Sequence, residues 1–206
     1  MDRFPKMVEI VSPGKSGDAE IRHTTVSREA SRFTALRPGG FVPAGKYAEL
    51  LVDGALVMSD TRHEHITNID AVLASQGHVL IGGLGLGMIC HPIAAKKGVT
   101  KITVVERNKG VIDLVSPTLP KKVEVIHSDI FDYKPEKGAK FDTIYFDIWT
   151  DICTDALPDM GKLLRRFRKY LADDGWINCW CRDRLKSERR RELAEEREYR
   201  AHGIRI

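Results

Sequence analysis

Long apolar runs are missing from this sequence. The longest one, residues 79–90, contains four glycines and is shorter than the roughly 20 residues that a membrane-spanning helix needs. No apolar segment follows the first six residues, so the N-terminal sequence does not resemble a signal peptide. These absences predict a cytoplasmic protein that does not enter a membrane.

Cysteine is also scarce, and the four cysteines form no C-x-x-C pair and no spacing typical of zinc: Cys90, Cys153, Cys179 and Cys181. We therefore expect reduced thiols and neither a disulfide framework nor a zinc site. Hydrophobic residues (42%) and charged residues (30%) occur in the proportions of a globular protein, which excludes a mainly disordered chain. A length of 206 residues suits one domain with a small extension.

The net charge is only +4, but basic residues cluster at residues 165–169 and again at residues 182–191. Acidic residues dilute the second cluster, and mixed charges at helical spacing predict a solvated helix. Contact with nucleic acid through these basic clusters stays open as an alternative.

Residues 1–78 predict an N-terminal β extension. Proline and glycine punctuate this part of the chain, and short strands are predicted at residues 7–11 and 19–25. Residues 46–52 and 55–59 flank Asp53-Gly54, a pair suited to a two-residue hairpin turn with positive φ angles. A helix over residues 61–75 then leads into the rest of the chain.

Strands and helices alternate in residues 79–206. A helix is predicted over residues 88–97, and strands are predicted near residues 79–82, 101–106, 122–127, 141–147 and 176–181. Apolar residues at helical spacing up to Leu171 predict another helix that stops at Asp174-Gly175. The alternation predicts an α/β fold with a doubly wound, mostly parallel sheet and helices on both faces.

The first of these strands enters a glycine-rich loop. The dinucleotide fingerprint G-x-G-x-x-G fails here, because Met88 or Cys90 stands where the third glycine is needed. The spacing G-x-G-x-G is met by Gly83, Gly85 and Gly87. Such loops need glycine because the chain turns with unusual dihedral angles and a ligand approaches the backbone closely. We assign these three glycines to a cofactor-binding site.

Acidic residues follow the next two strands. Glu106 ends the second strand, nineteen residues after Gly87, where a carboxylate can accept hydrogen bonds from both hydroxyls of a ribose. Asp129 follows the third strand and suits the exocyclic amine of an adenine. Ligands of such sheets bind outside the carboxyl ends of the strands, so we predict a nucleoside site from the glycine loop, Glu106, Asp129 and the adjacent Ile130.

Residues 79–147 resemble the nucleoside-binding half of the class I S-adenosylmethionine-dependent methyltransferases and the related spermidine synthases, which place acidic residues where Glu106 and Asp129 stand. The hairpin at residues 51–57 resembles the Leu-Asp-Gly hairpin of spermidine synthases. The resemblance implies a Rossmann-like class I methyltransferase fold, with S-adenosylmethionine or its decarboxylated form as the cofactor. We expect the two antiparallel strands that often finish such a sheet to be missing or reduced.

The segment after the fourth strand carries Asp147 and Asp151. In transferases of this fold, residues at this place face the sulfonium of the cofactor and the acceptor atom, so Asp147 joins the expected cofactor contacts. Spermidine synthases have one carboxylate at the position of Asp147 and another three residues later, whereas Asp151 follows four residues later. Val57 stands where that family carries a glutamine, and residues 62–69 contain no tyrosine, so we expect putrescine to be a poor acceptor.

Two other families bear on the same segment. The pattern Asp147-x-Trp149-x-Asp151 resembles the loop of catechol-type O-methyltransferases, in which the first aspartate binds magnesium. That family has a lysine where Thr150 stands and a second acidic ligand for which Asp183 is the candidate, so magnesium stays an alternative. The Asn/Asp-Pro-Pro-Tyr motif of nitrogen methyltransferases acting on bases or amides is not matched. Trp149 could stack on a planar acceptor or close the pocket as an apolar lid.

Four histidines could each act as a base near neutral pH: His63, His65, His91 and His127. His63 and His65 are two residues apart and do not share a helix face, so they do not predict a metal pair.

These residues together favour an S-adenosylmethionine-dependent transferase. Methyl transfer to a small-molecule acceptor is the first hypothesis, with Asp147 or Asp151 orienting or deprotonating the acceptor. Aminopropyl transfer to a small polyamine and a nucleoside-binding module without turnover are the alternatives.

Overall fold

Two sheets form the framework of the protein, whose computed structural model describes residues 4–34 and 41–202. The predicted N-terminal extension (residues 1–78) and the predicted α/β segment (residues 79–206) each reach beyond the described residues, at residues 1–3 and 203–206. The first sheet is antiparallel, with its strands in chain order: β1 (Gly14–Ser16), β2 (Ala19–Val26), β3 (Gly45–Val52) and β4 (Ala55–Ser59). The predicted hairpin is confirmed, since Asp53 and Gly54 have φ angles of 50° and 76°.

The second sheet is parallel and contains β5 (Gly77–Gly82), β6 (Val99–Glu106), β7 (Val123–His127), β8 (Phe141–Phe146) and β9 (Leu171–Cys179). Its strand order is β7-β6-β5-β8-β9, and every described neighbouring pair is parallel. The chain thus builds outward from β5 on one side and then from β8 on the other. The crevice between the ends of β5 and β8 is the topological switch point, where ligands of such sheets bind.

Helices cover both faces of the parallel sheet, which confirms the predicted α/β fold. Apolar side chains of α2 (Arg62–Ala74), α3 (Cys90–Ala94) and α4 (Lys109–Val115) pack on one face together with the antiparallel sheet. Those of α5 (Leu157–Phe167) and α6 (Arg182–Ala201) pack on the other face. A short helix, α1 (Arg28–Thr34), lies between β2 and β3. Among the described residues, no helix combines the length and apolarity that crossing a membrane requires.

The strand predicted at residues 7–11 is wrong, because Met7–Glu9 form a 3₁₀ helix. Met7 and Val11 are 0% and 2% exposed, and both enter the core. The buried Asp60 accepts hydrogen bonds from the N–H groups of Val8 at 3.0 Å and Ala48 at 2.7 Å. This carboxylate ties the N-terminal turn to β3, so the segment cannot add a strand to the sheet.

The helix predicted over residues 88–97 is shorter than expected, since α3 contains only Cys90–Ala94. β6 already begins at Val99, and the carbonyl of Gly98 accepts a hydrogen bond from the N–H of Gly77 at 2.8 Å. The chain therefore has to leave the helix early to join the sheet beside β5.

The predicted end of the helix at Asp174-Gly175 is also wrong. α5 ends at Phe167, and Leu171 already belongs to β9. Phe141 pairs with Leu171 and Thr143 with Trp176, so β9 has three extra residues between these two pairs. The Asp-Asp-Gly sequence that reads as a helix stop forms a bulge inside this edge strand instead. β9 also ends at Cys179, two residues before the predicted Cys181.

α6 carries the second basic cluster, and its charges pair along the helix. Arg184 contacts Glu188 at 2.9 Å, and Arg189 contacts Glu192 at 3.1 Å. These exposed ion pairs fit the predicted solvated helix.

The N-terminal extension and the parallel sheet share one apolar core, in which Met7, Ile21 and Leu50 belong to the same cluster as Val79 and Ile81. α4 fastens the two parts together at its first turn. A Cβ on Gly110 would lie 2.1 Å from the carbonyl oxygen of Ser16. A boundary at residue 78, which stays a prediction, therefore does not separate two independent cores.

Because of this contact, we expect Gly110→Ala to destabilise the protein by about 1–3 kcal/mol, although alanine alone favours a helix over glycine by about 1 kcal/mol. Gly98→Ala is the matched control, since its Cβ would meet no atom within 4 Å, and we expect a change within about 0.5 kcal/mol. Urea denaturation measures both free energies of unfolding. Equal stabilities of the two variants would contradict the assigned contact.

Candidate functional site

A cavity of about 570 Å³ lies at the carboxyl ends of the parallel strands, between them and the hairpin of the antiparallel sheet. The loops after β5, β6, β7 and β8 all contribute to its lining, and so does α2 through Glu64. An apolar wall comes from β3 and β4, through Leu50, Val52, Val57 and Met58. The N-terminal extension therefore forms one wall of the site.

The glycine loop is pressed between two neighbours. Gly83 has a φ of 94°, and a Cβ there would lie 2.1 Å from the carbonyl oxygen of Asp147. Gly85 has a φ of 52°, and a Cβ there would lie 2.5 Å from the Sδ of Met58. Both positions need glycine for conformation and for space. Gly87 faces the side chains of Val115 and Leu119 and does not line the cavity.

Glu106 is held rigidly at the end of β6. Its side chain is buried, and its Oε2 and Oε1 accept hydrogen bonds from the N–H groups of Leu84 at 2.8 Å and Asn108 at 2.7 Å. Each carboxylate oxygen can accept a further hydrogen bond. Asn108 is fixed in turn, because its Nδ2 donates to Asp18 Oδ1 at 2.9 Å. Glu106 therefore faces the cavity as an oriented acceptor, with α4 and the β1–β2 turn behind it.

Asp129 and Ile130 line the next part of the cavity. The Oδ1 of Asp129 accepts a hydrogen bond from the N–H of Phe131 at 2.7 Å, which fixes the carboxylate against its own turn. Ile130 is 4% exposed and packs in the second core cluster. The predicted residues after β6 and β7 thus meet at one edge of the sheet.

Asp147 lines the cavity at the switch point and faces α2. Burial raises the pKa of its carboxyl to about 8, and the nearby charge of Glu64 raises it too, while a hydrogen bond from Asn68 acts in the opposite direction. Asn68 is fully buried, and its Oδ1 accepts a hydrogen bond from the hydroxyl of Tyr145 at 2.9 Å. The hydrogen bond from Tyr145 thus fixes the orientation of the Asn68 amide, the group that lowers the pKa of Asp147.

Glu64 is a cavity residue that the sequence analysis missed. It lines the same cavity as Asp147, and burial raises the pKa of its carboxyl to about 7. Asn68, one helical turn later, is the partner that was also missed. One feature of the sequence could have indicated that this part of α2 is buried. Asn68 shares a helix face with Ala71 and Val72, which are buried too.

The other proposed residues lie elsewhere. Asp151 is exposed, and neither it nor any of the four histidines singled out in the sequence lines the cavity. The side chain of Asp183 is 76% exposed and accepts a hydrogen bond from Asn178 at 3.2 Å. Within the described ranges, no three His, Cys, Asp or Glu side chains come together as a metal site. The four cysteines are free thiols.

Neither a protein-family model nor a curated protein matches this chain. Among solved structures, a complex of DhpI with SAH aligns with a TM-score of 0.45 at 18% identity, covering 56% of this chain and 57% of that one. The N-methyltransferase NodS from Bradyrhizobium japonicum WM9 aligns with a TM-score of 0.45 at 16% identity, covering 56% of this chain and 65% of that one.

Coclaurine N-methyltransferase bound to N-methylheliamine and SAH aligns with a TM-score of 0.43 at 20% identity, covering 55% of this chain and 34% of that one. The chain therefore spans less than two thirds of the length of each of these proteins. At such identities and TM-scores the likeness concerns the fold alone.

The raised pKa values of Asp147 and Glu64 make stability depend on pH. Because the folded protein holds these protons above the ordinary carboxyl pKa values of 3.8 and 4.5, stability falls as the pH rises through that range to about 8. We expect Asp147→Asn to be more stable than the native protein at pH 8.5, by about 1 kcal/mol or more, since one pKa unit corresponds to about 1.4 kcal/mol.

Urea denaturation at pH 4 and pH 8.5 measures this difference, which should shrink at the lower pH. Asp151→Asn is the control, because this carboxyl is exposed. A stabilisation by Asp147→Asn that is equal at both pH values would contradict the assigned pKa.

Proposed function

We propose that the protein is an S-adenosylmethionine-dependent methyltransferase acting on a small-molecule acceptor. One observation carries this proposal: a single cavity at the switch point joins the glycine loop, Glu106, Asp129 and Asp147. This is the place where a doubly wound sheet binds its ligand, and the residues there match the chemistry of a nucleoside with a positively charged sulfur.

The residues fit the cofactor in a definite arrangement. Glu106 would accept the ribose hydroxyls, and Asp129 would accept the exocyclic amine of adenine beside Ile130. Gly83 and Gly85 let the ligand lie close to the backbone. When bound, S-adenosylmethionine supplies a methyl group activated by its sulfonium.

Asp147 is the residue placed to orient or deprotonate the acceptor. It lies at the switch point, and its raised pKa puts it in the range of a general base at neutral pH. Asp151 is exposed and outside the cavity, so we leave it out of the proposed site.

Aminopropyl transfer and contact with nucleic acid, two alternatives raised by the sequence, fit the cavity less well. Val57 presents an apolar side chain to the cavity at the position where spermidine synthases carry a glutamine, which disfavours aminopropyl transfer to putrescine. Arg107 is the one basic side chain among the described residues that line the cavity, so the site itself does not suit nucleic acid.

We expect calorimetry to show that S-adenosylmethionine or S-adenosylhomocysteine binds in preference to NAD. Asp129→Asn should weaken binding by about 1.4 kcal/mol, a factor of ten, because the amide cannot replace both carboxylate acceptors. Asp132→Asn is the control, as this exposed residue does not line the cavity. Binding of NAD alone would overturn the proposal.

Transfer can be followed with methyl-labelled and carboxyl-labelled S-adenosylmethionine in a fractionated extract. We expect only the methyl label to reach an acceptor. Asp147→Asn should lower the rate by about 10²-fold or more if Asp147 takes a proton, and Asp151→Asn should lower it far less. Undiminished transfer by a folded Asp147→Asn protein would remove Asp147 from the catalytic role.

A further inference from the structure

The cavity has a strongly acidic lining. Among the described residues that line it, Arg107 is opposed by six carboxyl side chains: Asp18, Asp53, Glu64, Glu106, Asp129 and Asp147. A nucleoside accounts for Glu106 and Asp129, and the sulfonium of the proposed cofactor accounts for one further negative charge. The remaining excess of negative charge favours a second ligand that is a cation.

Glu64 and Asp147 are the two of these carboxyls that interact across α2 and β8. The charge of Glu64 acts on Asp147, and burial disfavours the ionised form of both groups. Asn68 Nδ2 donates to the backbone carbonyl of Glu64 at 3.2 Å, and no N–H or O–H group of the described residues donates to the carboxylate of Glu64. A positively charged ligand between them would relieve both the repulsion and the lack of a donor.

Two indole rings line the same cavity, those of Trp149 and Trp180. Aromatic faces attract cations, and tryptophan does so best. Trp180 is 5% exposed, so packing holds its ring in place at the cavity wall.

We propose that the acceptor is an amine, bound as its ammonium ion between Glu64 and Asp147, and that Glu64 selects it. The inference rests on the proposed methyl transfer and names its substrate class. Glu64 stays ionised and holds the ammonium group by charge and hydrogen bonding. One N–H bond of the ammonium breaks, its electron pair remains on nitrogen as the lone pair, and the proton forms an O–H bond on Asp147.

The test compares amines with the alcohols of the same carbon skeleton on protein saturated with S-adenosylhomocysteine. The pairs are butylamine with butan-1-ol, benzylamine with benzyl alcohol, and phenethylamine with 2-phenylethanol, each titrated while tryptophan fluorescence is recorded. We expect at least one amine to bind tenfold more tightly than its alcohol. Glu64→Gln should reduce that preference at least tenfold, while Asp70→Asn, an exposed residue of the same helix, should leave it unchanged.

Urea denaturation shows that each variant is folded, and the same titrations are run without S-adenosylhomocysteine. If S-adenosylhomocysteine binds but no amine is preferred, or if the preference survives in folded Glu64→Gln, the amine proposal is overturned and the methyl-transfer proposal stands. If S-adenosylhomocysteine does not bind but the preference depends on Glu64, the cofactor proposal falls and the amine site is supported.

Discussion

The close approach of the glycine loop to the backbone after β8 sets the geometry of the whole site. The N–H of Gly83 donates to the carbonyl of Val105 at 2.9 Å, and the N–H of Asp147 donates to the carbonyl of Gly82 at 2.8 Å. The loop is thereby held between the strands on either side of β5. Since a Cβ on Gly83 would overlap the carbonyl oxygen of Asp147, any side chain there has to separate the loop from Asp147. The position of the carboxyl at the switch point is therefore coupled to that of the glycine loop.

The N-terminal extension supports the glycine loop from the other side. Met58 packs over Gly85, and its Sδ accepts a hydrogen bond from the N–H of Leu86 at 3.4 Å. Asp18 holds Asn108, whose backbone N–H in turn holds the carboxylate of Glu106. Groups that would contact a nucleoside are thus oriented before any ligand arrives, and this preorganisation lowers the entropy lost on binding.

Local patterns were enough to predict strands β2 to β8, the Asp53-Gly54 turn and the position of Glu106, because alternation, turn chemistry and strand ends are properties of short segments. They failed where a distant part of the chain decides the conformation. Asp60 turns the N-terminal segment into a 3₁₀ helix, and pairing with β8 draws Leu171 and the following Asp-Asp-Gly into β9. Glu64 was missed for the same reason. The direction that α2 presents to the cavity is fixed by packing against two sheets, which no local pattern encodes.

The placement of Glu64 and Asp147 opposes stability in the free protein. Both carboxyls are partly buried and have raised pKa values. Their ionised forms therefore destabilise the fold more than a neutral amide at the same position would. The surrounding core nevertheless supports one of them, since the hydroxyl of Tyr145 orients the Asn68 amide that bonds to Asp147. A buried network that stabilises a carboxyl at a cavity, at the expense of the fold, is typical of a binding or catalytic site. A cation bound between Glu64 and Asp147 would favour the ionised form of both carboxyls. The electrostatic repulsion that lowers the folding stability of the free protein would therefore contribute to the binding energy of the cation.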